Sequence, residues 1–258
     1  MACGEYGPGR MAEPEEIFAV IVGVLERSEG SAKPLTVKLL TGKKIVVTAG
    51  PTHEPIDPIR YIANRSSGKQ GYAIAKAASE AGAEVTLISG PVALETPQRV
   101  ALVRVETARE MAAAVEAALP CDIFIAAAAV ADWRVDGGSS QKIKKSGGAP
   151  PPLNLVENPD ILAGVARRSK DRPPLVVGFA AETENLIDHA REKLARKGCD
   201  LIVANDVSEA AGVMGGDENT MVLVSAGGET AWPKLDKDAA ARRLVHHLGQ
   251  NLAKFGSV

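Results

Sequence analysis

From Lys44 onward the chain alternates short, almost continuously apolar runs with longer runs of helical periodicity, and that alternation decides the fold class. KIVVTAG (44–50), EVTLISG (84–90), ALVRVET (101–107), CDIFIAAAAV (121–130), PLVVGFA (174–180) and CDLIVAND (199–206) read as strands. Between them GKQGYAIAKAASEAGA (68–83), AREMAAAVEAALP (108–120), NPDILAGVARRSK (158–170) and NLIDHAREKLARKG (185–198) read as helices. Strands that are apolar throughout, rather than at every second residue, are buried on both faces, as parallel strands are. The pattern predicts an α/β fold: a Rossmann-like, mostly parallel sheet with helices on both faces. MVLVSAGGETAWPKL (221–235) predicts a hairpin about Gly227 and Gly228, and residues 236–255 a closing helix. CDIFIA resembles CDLIVA, so Cys121 and Cys199 are expected to start two neighbouring strands as buried, structural thiols.

Ahead of this pattern, residues 14–29 read as a helix with acids in its first turn, and residues 30–44 as a linker. The boundaries drawn are 1–40 for the head and 41–258 for the α/β domain. The formal net charge is −2. The head alone, with six acids and four bases, accounts for it. Residues 41–70 are locally basic, with five bases against two acids, and residues 204–229 carry five acids and no base. Near-neutral balance and 3% aromatic residues argue against nucleic-acid binding and against a polybasic membrane binder. Three cysteines in a long chain fit a reducing compartment without a disulfide framework. With neither a signal-peptide layout nor an apolar run of about 20 residues, the expectation is a cytoplasmic protein with no membrane partner.

Ligands of open α/β sheets bind beyond the carboxyl ends of the strands. After the first strand come about 20 residues before the helix, a long connection of the kind that carries function. It ends in Ser66-Ser67-Gly68-Lys69-Gln70-Gly71, where small residues at a helix N-terminus offer backbone N–H groups to a phosphate. A plain helix cap is the bland alternative. The loop is not a Walker A motif, because Ala63 stands at its first glycine position and Gln70 follows Lys69. After CDIFIAAAA comes AVADWRV, then the basic KIKK (142–145) flanked by glycine pairs, which reads as a cationic flap or as a solvated turn. Phe179 follows another strand, Lys193 and Lys197 lie one turn apart on a helix, and Asn205-Asp206 end a further strand. His53 lies in the long first loop; His189, His246 and His247 show no metal spacing. Without a nucleophile or metal cluster, the expected chemistry is positioning and charge stabilisation.

VTAGPTHEPIDPIRYIANRSSGKQG (47–71), AAAVADWR (127–134), KIKK, ENPDIL (157–162), GFAAET (178–183) and LIVANDV (201–207), in this order and spacing, resemble phosphopantothenoylcysteine synthetase (phosphopantothenate–cysteine ligase), in its bacterial CTP-using type. The resemblance spans about residues 43–250. It implies coenzyme A biosynthesis: CTP-dependent ligation of 4′-phosphopantothenate and L-cysteine through an acyl-cytidylate, with release of pyrophosphate and CMP and with Mg²⁺ as cofactor. By matching position, Gly50, Ser66, Gly68 and Gly71 would cradle nucleotide phosphates. Ala126, Ala127, Ala128, Asp132, Lys142, Asn158, Pro159, Asp160, Ile161, Phe179, Lys193 and Lys197 would hold CTP, and Asn205 matches a nucleotide contact of ATP-using relatives. Lys142 matches a flap lysine needed for acyl-cytidylate formation. Asn64 matches the residue that holds the carboxylate and the mixed anhydride, with Ala128, Ala129 and Asp132 beside it. Arg60 matches an arginine that reaches into the neighbouring subunit's site, which implies a homodimer. The resemblance leaves open which residues hold the Mg²⁺.

MACGEYGPGRMAEPEEI (1–17) resembles the end of the flavin-dependent phosphopantothenoylcysteine decarboxylase, with Cys3 at its catalytic acid. Residues 1–40 thus read as a remnant of that domain, with no flavin expected on this chain and a separate decarboxylase chain as a candidate partner. Two other readings stay open. An NAD(P)-dependent oxidoreductase would use a similar sheet, but GxGxxG and a ribose-binding acid after the second strand are missing. A non-catalytic nucleotide-binding subunit would have less use for flap lysines.

Overall fold

The computed structural model describes residues 38–144, 152–182, 184–206 and 218–255. The expected 14–29 helix, Cys3 and Lys145 lie outside the described residues. Contacts divide the chain into two units, residues 1–37 and residues 38–258, and all the described elements belong to the second.

The first half runs β1 (Lys44–Ala49), β2 (His53–Pro55), β3 (Tyr61–Ala63), α1 (Lys69–Glu80), β4 (Glu84–Ser89), β5 (Val100–Arg104) and α2 (Ala108–Ala118). Then come β6 (Ile123–Ala126), β7 (Trp133–Val135), β8 (Leu155–Glu157), α3 (Ile161–Ala166), β9 (Leu175–Glu182), α4 (Leu186–Lys197) and β10 (Leu201–Asp206). The chain closes with β11 (Glu218–Asn219), β12 (Met221–Ser225), β13 (Gly228–Ala231), β14 (Leu235–Asp236) and α5 (Lys237–Phe255).

The eight-stranded sheet has the order β13-β12-β10-β9-β6-β1-β4-β5. From β5 to β10 the strands are parallel, with Ile45 opposite Val85 on one side of β1 and opposite Ile123 on the other. Numbered by sequence, these six strands follow the 3-2-1-4-5-6 order of doubly wound sheets, whose direction reverses between β1 and β6. β12 and β13 extend the sheet antiparallel as the expected hairpin. One face of the sheet packs against α1 and α5 through Ile74, Ala77, Ala78, Leu244 and Leu248. The other packs against α2, α3 and α4 through Met111, Val115, Leu162, Val165 and Ala190. Phe124, at the centre of the second layer, is fully buried.

Local chemistry explains the element ends. Thr107 caps α2: its hydroxyl accepts from Glu110 N while the Glu110 carboxylate accepts from Thr107 N, a reciprocal capping box. α3 is shorter than its expected span. Asn158 precedes a proline, which disfavours helical backbone there, and Asp160 is the true cap, accepting from Ala163 N. Cys121 and Cys199 are buried thiols, and burial raises Cys121 to about 12 and Cys199 to about 11. They do not begin neighbouring strands: β9 lies between β6 and β10. Repetition of CDxxxA reflects equal placement at two strand starts, not adjacency. Two small hairpins, β2–β3 and β7–β8, occupy connections read as loops. Among the described residues no helix is long and apolar enough to cross a membrane.

Candidate functional site

The crevice at the reversal between β1 and β6 is built by loops that continue their strands' pairing. Past the end of the sheet, Ala127 N donates to Thr48 O (3.1 Å), Ala129 N to Gly50 O (2.9 Å), and Pro51 bridges Ala129. Two buried threonine hydroxyls extend the seam: Thr48 Oγ1 accepts from Ala128 N (3.4 Å) and Thr52 Oγ1 from Ala131 N (3.0 Å). Asn64 Nδ2 donates to Val130 O (2.9 Å) and Asn158 Nδ2 to Ala131 O (2.8 Å). Asn158 N also donates to Asp132 O (2.8 Å). Asn64, Ala128, Ala129, Asp132 and Asn158, expected in one site, therefore do surround one loop.

The loop expected to bind an anion lies on the α1 side. Gly68 caps α1 in the left-handed region (φ 74°), no side chain caps the helix, and Gly68 N donates to Ser66 Oγ (3.3 Å). Gly50 is also left-handed (φ 74°), and a Cβ on Gly68 would come within 3.5 Å of Gly50 Cα. Gly71 also has a packing role. A Cβ there would lie 2.5 Å from Ala49 Cβ, so its absence lets α1 pack on β1. Gly90, at the end of β4, is tighter still: its Cβ would stand 1.7 Å from Pro51 O.

Cations line the opposite wall. Lys197 Nζ is 2.5 Å from Asp160 Oδ2, joining α4 to the cap of α3. Lys193, one turn earlier, is held below the usual lysine range, first by burial and then by the nearby positive charges of Lys197 and Arg196, which Glu182 and Asp132 partly offset. That neighbourhood brings α4 and Asp132 into one electrostatic field. Asp160 lies below its usual range: burial opposes ionisation, but the Lys197 ammonium and Ala163 N outweigh it. Phe179 lies inside β9, opposite Val203 of β10, and not past the strand end as expected. Asn205 is the penultimate residue of β10, and its Oδ1 is closed to solvent without a hydrogen-bond partner among the described residues. The Gln70 carboxamide in the first turn of α1 is in the same position at both polar atoms. Unmet buried polar groups cost about 1–3 kcal/mol each, which marks both as groups that a ligand or an ordered water would satisfy.

Lys142 is exposed, and the backbone beside it is tied to Asp57 and Arg60. Thr48, Thr52, Asp57 and Glu182 were not singled out from the sequence as site residues. The signal was present for three of them, a polar residue at or just past an apolar strand end. His53 stacks on Tyr61, ring centroids 3.9 Å apart.

Residues 40–252 match the family model of the DNA/pantothenate metabolism flavoprotein C-terminal domain. The chain is 46% identical over 253 residues to the coenzyme A biosynthesis bifunctional protein CoaBC of Vibrio cholerae, covering 97% of this chain and 61% of that protein. Against the protein of the same name from Escherichia coli it is 46% identical over 250 residues, covering 96% and 59%. The chain thus spans about three fifths of the length of the curated relatives it matches. Among solved structures, the C-terminal domain of CoaBC superposes with a TM-score of 0.71 at 38% identity, covering 84% of this chain and 99% of that one.

Proposed function

Because the chain belongs to the family of the DNA/pantothenate metabolism flavoprotein C-terminal domain, we propose that it is a phosphopantothenate–cysteine ligase of coenzyme A biosynthesis that activates its substrate with CTP. The observation that carries this reading is the convergence, at the reversal point of the sheet, of the anion loop, the Asn64–Asp132–Asn158 cluster and the Lys193/Lys197 pair. In this reading the loop opening α1 would take the triphosphate, the lysine pair the nucleoside end, and Asn64 the carboxylate.

In the first step the pantothenate carboxylate attacks the α-phosphorus of CTP. A P–O bond forms and pyrophosphate departs with the electrons of the bond that breaks. In the second, the cysteine amine attacks the acyl carbon, loses a proton, and CMP leaves. Bringing an anionic carboxylate up to a triphosphate is the electrostatic obstacle, and fixed donors meet it without reorganising. The N–H groups opening α1 face the phosphates, Asn64 Nδ2 orients the carboxylate, and Lys142 offers a cation from an exposed segment. Lys193 and Lys197 hold the nucleotide end. Mg²⁺ on the triphosphate would neutralise further charge. Among the described residues no three His, Cys, Asp or Glu side chains form a metal cluster.

A second copy of the chain is part of this reading. Ile59, Tyr61, Trp133, Leu153 and Leu155 are exposed apolar side chains on or beside the two small hairpins, a patch of the kind that marks an interface. Arg60 is on the same turn as Ile59.

The test is release of pyrophosphate and CMP in a panel of CTP, ATP, GTP and UTP with phosphopantothenate and cysteine. The expected result is pyrophosphate only when phosphopantothenate and CTP are both present, abolished by Lys142→Gln. Pyrophosphate release with CTP alone, or tight NADH binding by titration, would count against the proposal.

A further inference from the structure

Asp57 has no place in the reaction steps proposed for the crevice, yet it is among the most heavily hydrogen-bonded side chains around the site. Its side chain is completely buried. Oδ1 accepts from Ile59 N and Arg60 N, both at 2.9 Å. Oδ2 accepts from Arg60 Nε at 3.1 Å, from Arg60 Nη2, and from Ile143 N at 3.1 Å. The same Arg60 Nη2 donates to Ile143 O at 3.1 Å. Both backbone groups of Ile143 are thus held by one ion pair that is 86 and 83 residues away in sequence. Ile143 is the immediate neighbour of Lys142. The approach to it is held as well, because Ser139 N donates to Ile56 O (3.0 Å) and a Cβ on Gly138 would lie 3.0 Å from Pro55 O.

A carboxylate that needed only to close the 56–60 turn would be satisfied by the two backbone N–H groups of that turn. Asp57 spends its other oxygen on Arg60 and Ile143. Arg60 keeps half its side-chain surface exposed, so its guanidinium can serve Asp57 and still present an edge outward. We infer that Asp57 is a positioning residue that couples Arg60 to the Lys142 segment, fixing where the flap lysine emerges relative to the crevice. The inference rests on the ligase reading for its catalytic consequence. The clamp itself stands on geometry alone.

Its test uses Asp57→Asn, nearly isosteric, and Arg60→Gln, at a half-exposed position, each checked for a folded far-UV spectrum. Amide hydrogen exchange over the peptide holding Ile143 reads the clamp, and steady-state pyrophosphate release reads its consequence. Both variants are expected to speed exchange at Ile143 by about 10-fold or more. Both should lower kcat by roughly 10- to 100-fold with the KM for CTP within about twofold, as misplacement of a catalytic group does. The double variant should be no worse than the poorer single, because the two side chains act as one unit. Unchanged exchange at Ile143 in Arg60→Gln, or a fall in kcat matched by an equal rise in KM, would overturn the inference. If Asp57→Asn does not fold, Arg60→Gln alone decides. If the parent protein releases no pyrophosphate, the ligase reading fails while the exchange result still settles the clamp.

Discussion

Gly71→Ala is a change of a single methyl group whose effect can be worked out from the packing. That methyl would lie 2.5 Å from Ala49 Cβ, 3.2 Å from Ala49 Cα and 3.3 Å from Thr48 O. Carbon atoms pack at about 3.5–4.0 Å, so the first turn of α1 must retreat from β1 by about 1.2 Å. Neither side of the contact is a flexible side-chain end. Overpacking of this kind costs up to about 3 kcal/mol, from which replacing a helical glycine by alanine recovers about 1 kcal/mol. A net loss near 2 kcal/mol lowers Tm by roughly 4–8 °C for a domain of this size. Because the same turn carries Gly68 and the N–H groups proposed to bind the phosphates, a shift of about 1 Å should cost on the order of 100-fold in pyrophosphate release. Gly164→Ala is the internal control. It lies in α3 with nothing within 4 Å of the added methyl, so it should raise stability by about 0.5–1 kcal/mol and leave turnover alone. Differential scanning calorimetry with the pyrophosphate assay reads both. A Gly71→Ala protein that melts within a degree of the parent and turns over normally would refute the packing argument.

Other expectations concern residues around and away from the crevice. Thr107→Ala breaks the capping box of α2 and should cost about 1 kcal/mol in urea unfolding with kcat unchanged, since α2 takes no part in the site. Lys193→Met should raise Tm at neutral pH by about 2–4 °C while weakening CTP binding measured by calorimetry. The parent's charged lysine is penalised by burial below its depressed folded pKa, and the penalty is relieved as pH rises towards the ordinary 10.5, so the gap between the two proteins should narrow there. For Asp57, the Arg60 guanidinium holds the folded pKa well below the ordinary 3.8. Its contribution is complete above the ordinary value and lost only as pH falls below it towards the folded one. The Tm difference between parent and Asp57→Asn should therefore be level from pH 7 to about pH 4 and shrink only in stronger acid.

The parallel sheet was legible because burial on both faces writes itself into consecutive residues, as in Ile45–Ala49 or Leu175–Val177. Strand adjacency was not: nothing local in CDIFIA or CDLIVA says that β9 will insert between them, since lateral order depends on crossovers longer than any motif. The β2–β3 and β7–β8 hairpins escaped for a different reason, because three residues are too few to show a period. At the site, the residue types at the strand ends were readable, and Asn64, Asp132, Asn158 and Lys193 do gather. Gly71 shows where reading by type stops. A glycine beside a loop expected to bind an anion reads as a phosphate contact, and nothing in its type shows that its missing side chain also lets α1 pack on β1. Asp57 was illegible because its partner Ile143 is 86 residues away and contributes only backbone.

The threonine seam between the β1 and β6 loops bears on how ligands come and go. A crevice in a doubly wound sheet could widen by letting the two halves of the sheet hinge apart at the reversal point. Here that route is stitched shut: Thr48 and Thr52 each hold an alanine N–H from the opposite loop, with backbone bonds between them. The two loops are tied together at the floor, so in the proposed ligase nucleotide and product would not exchange by that route. A valine at position 52 would keep the shape of the buried side chain and cut a stitch, turning a fixed floor into a second door.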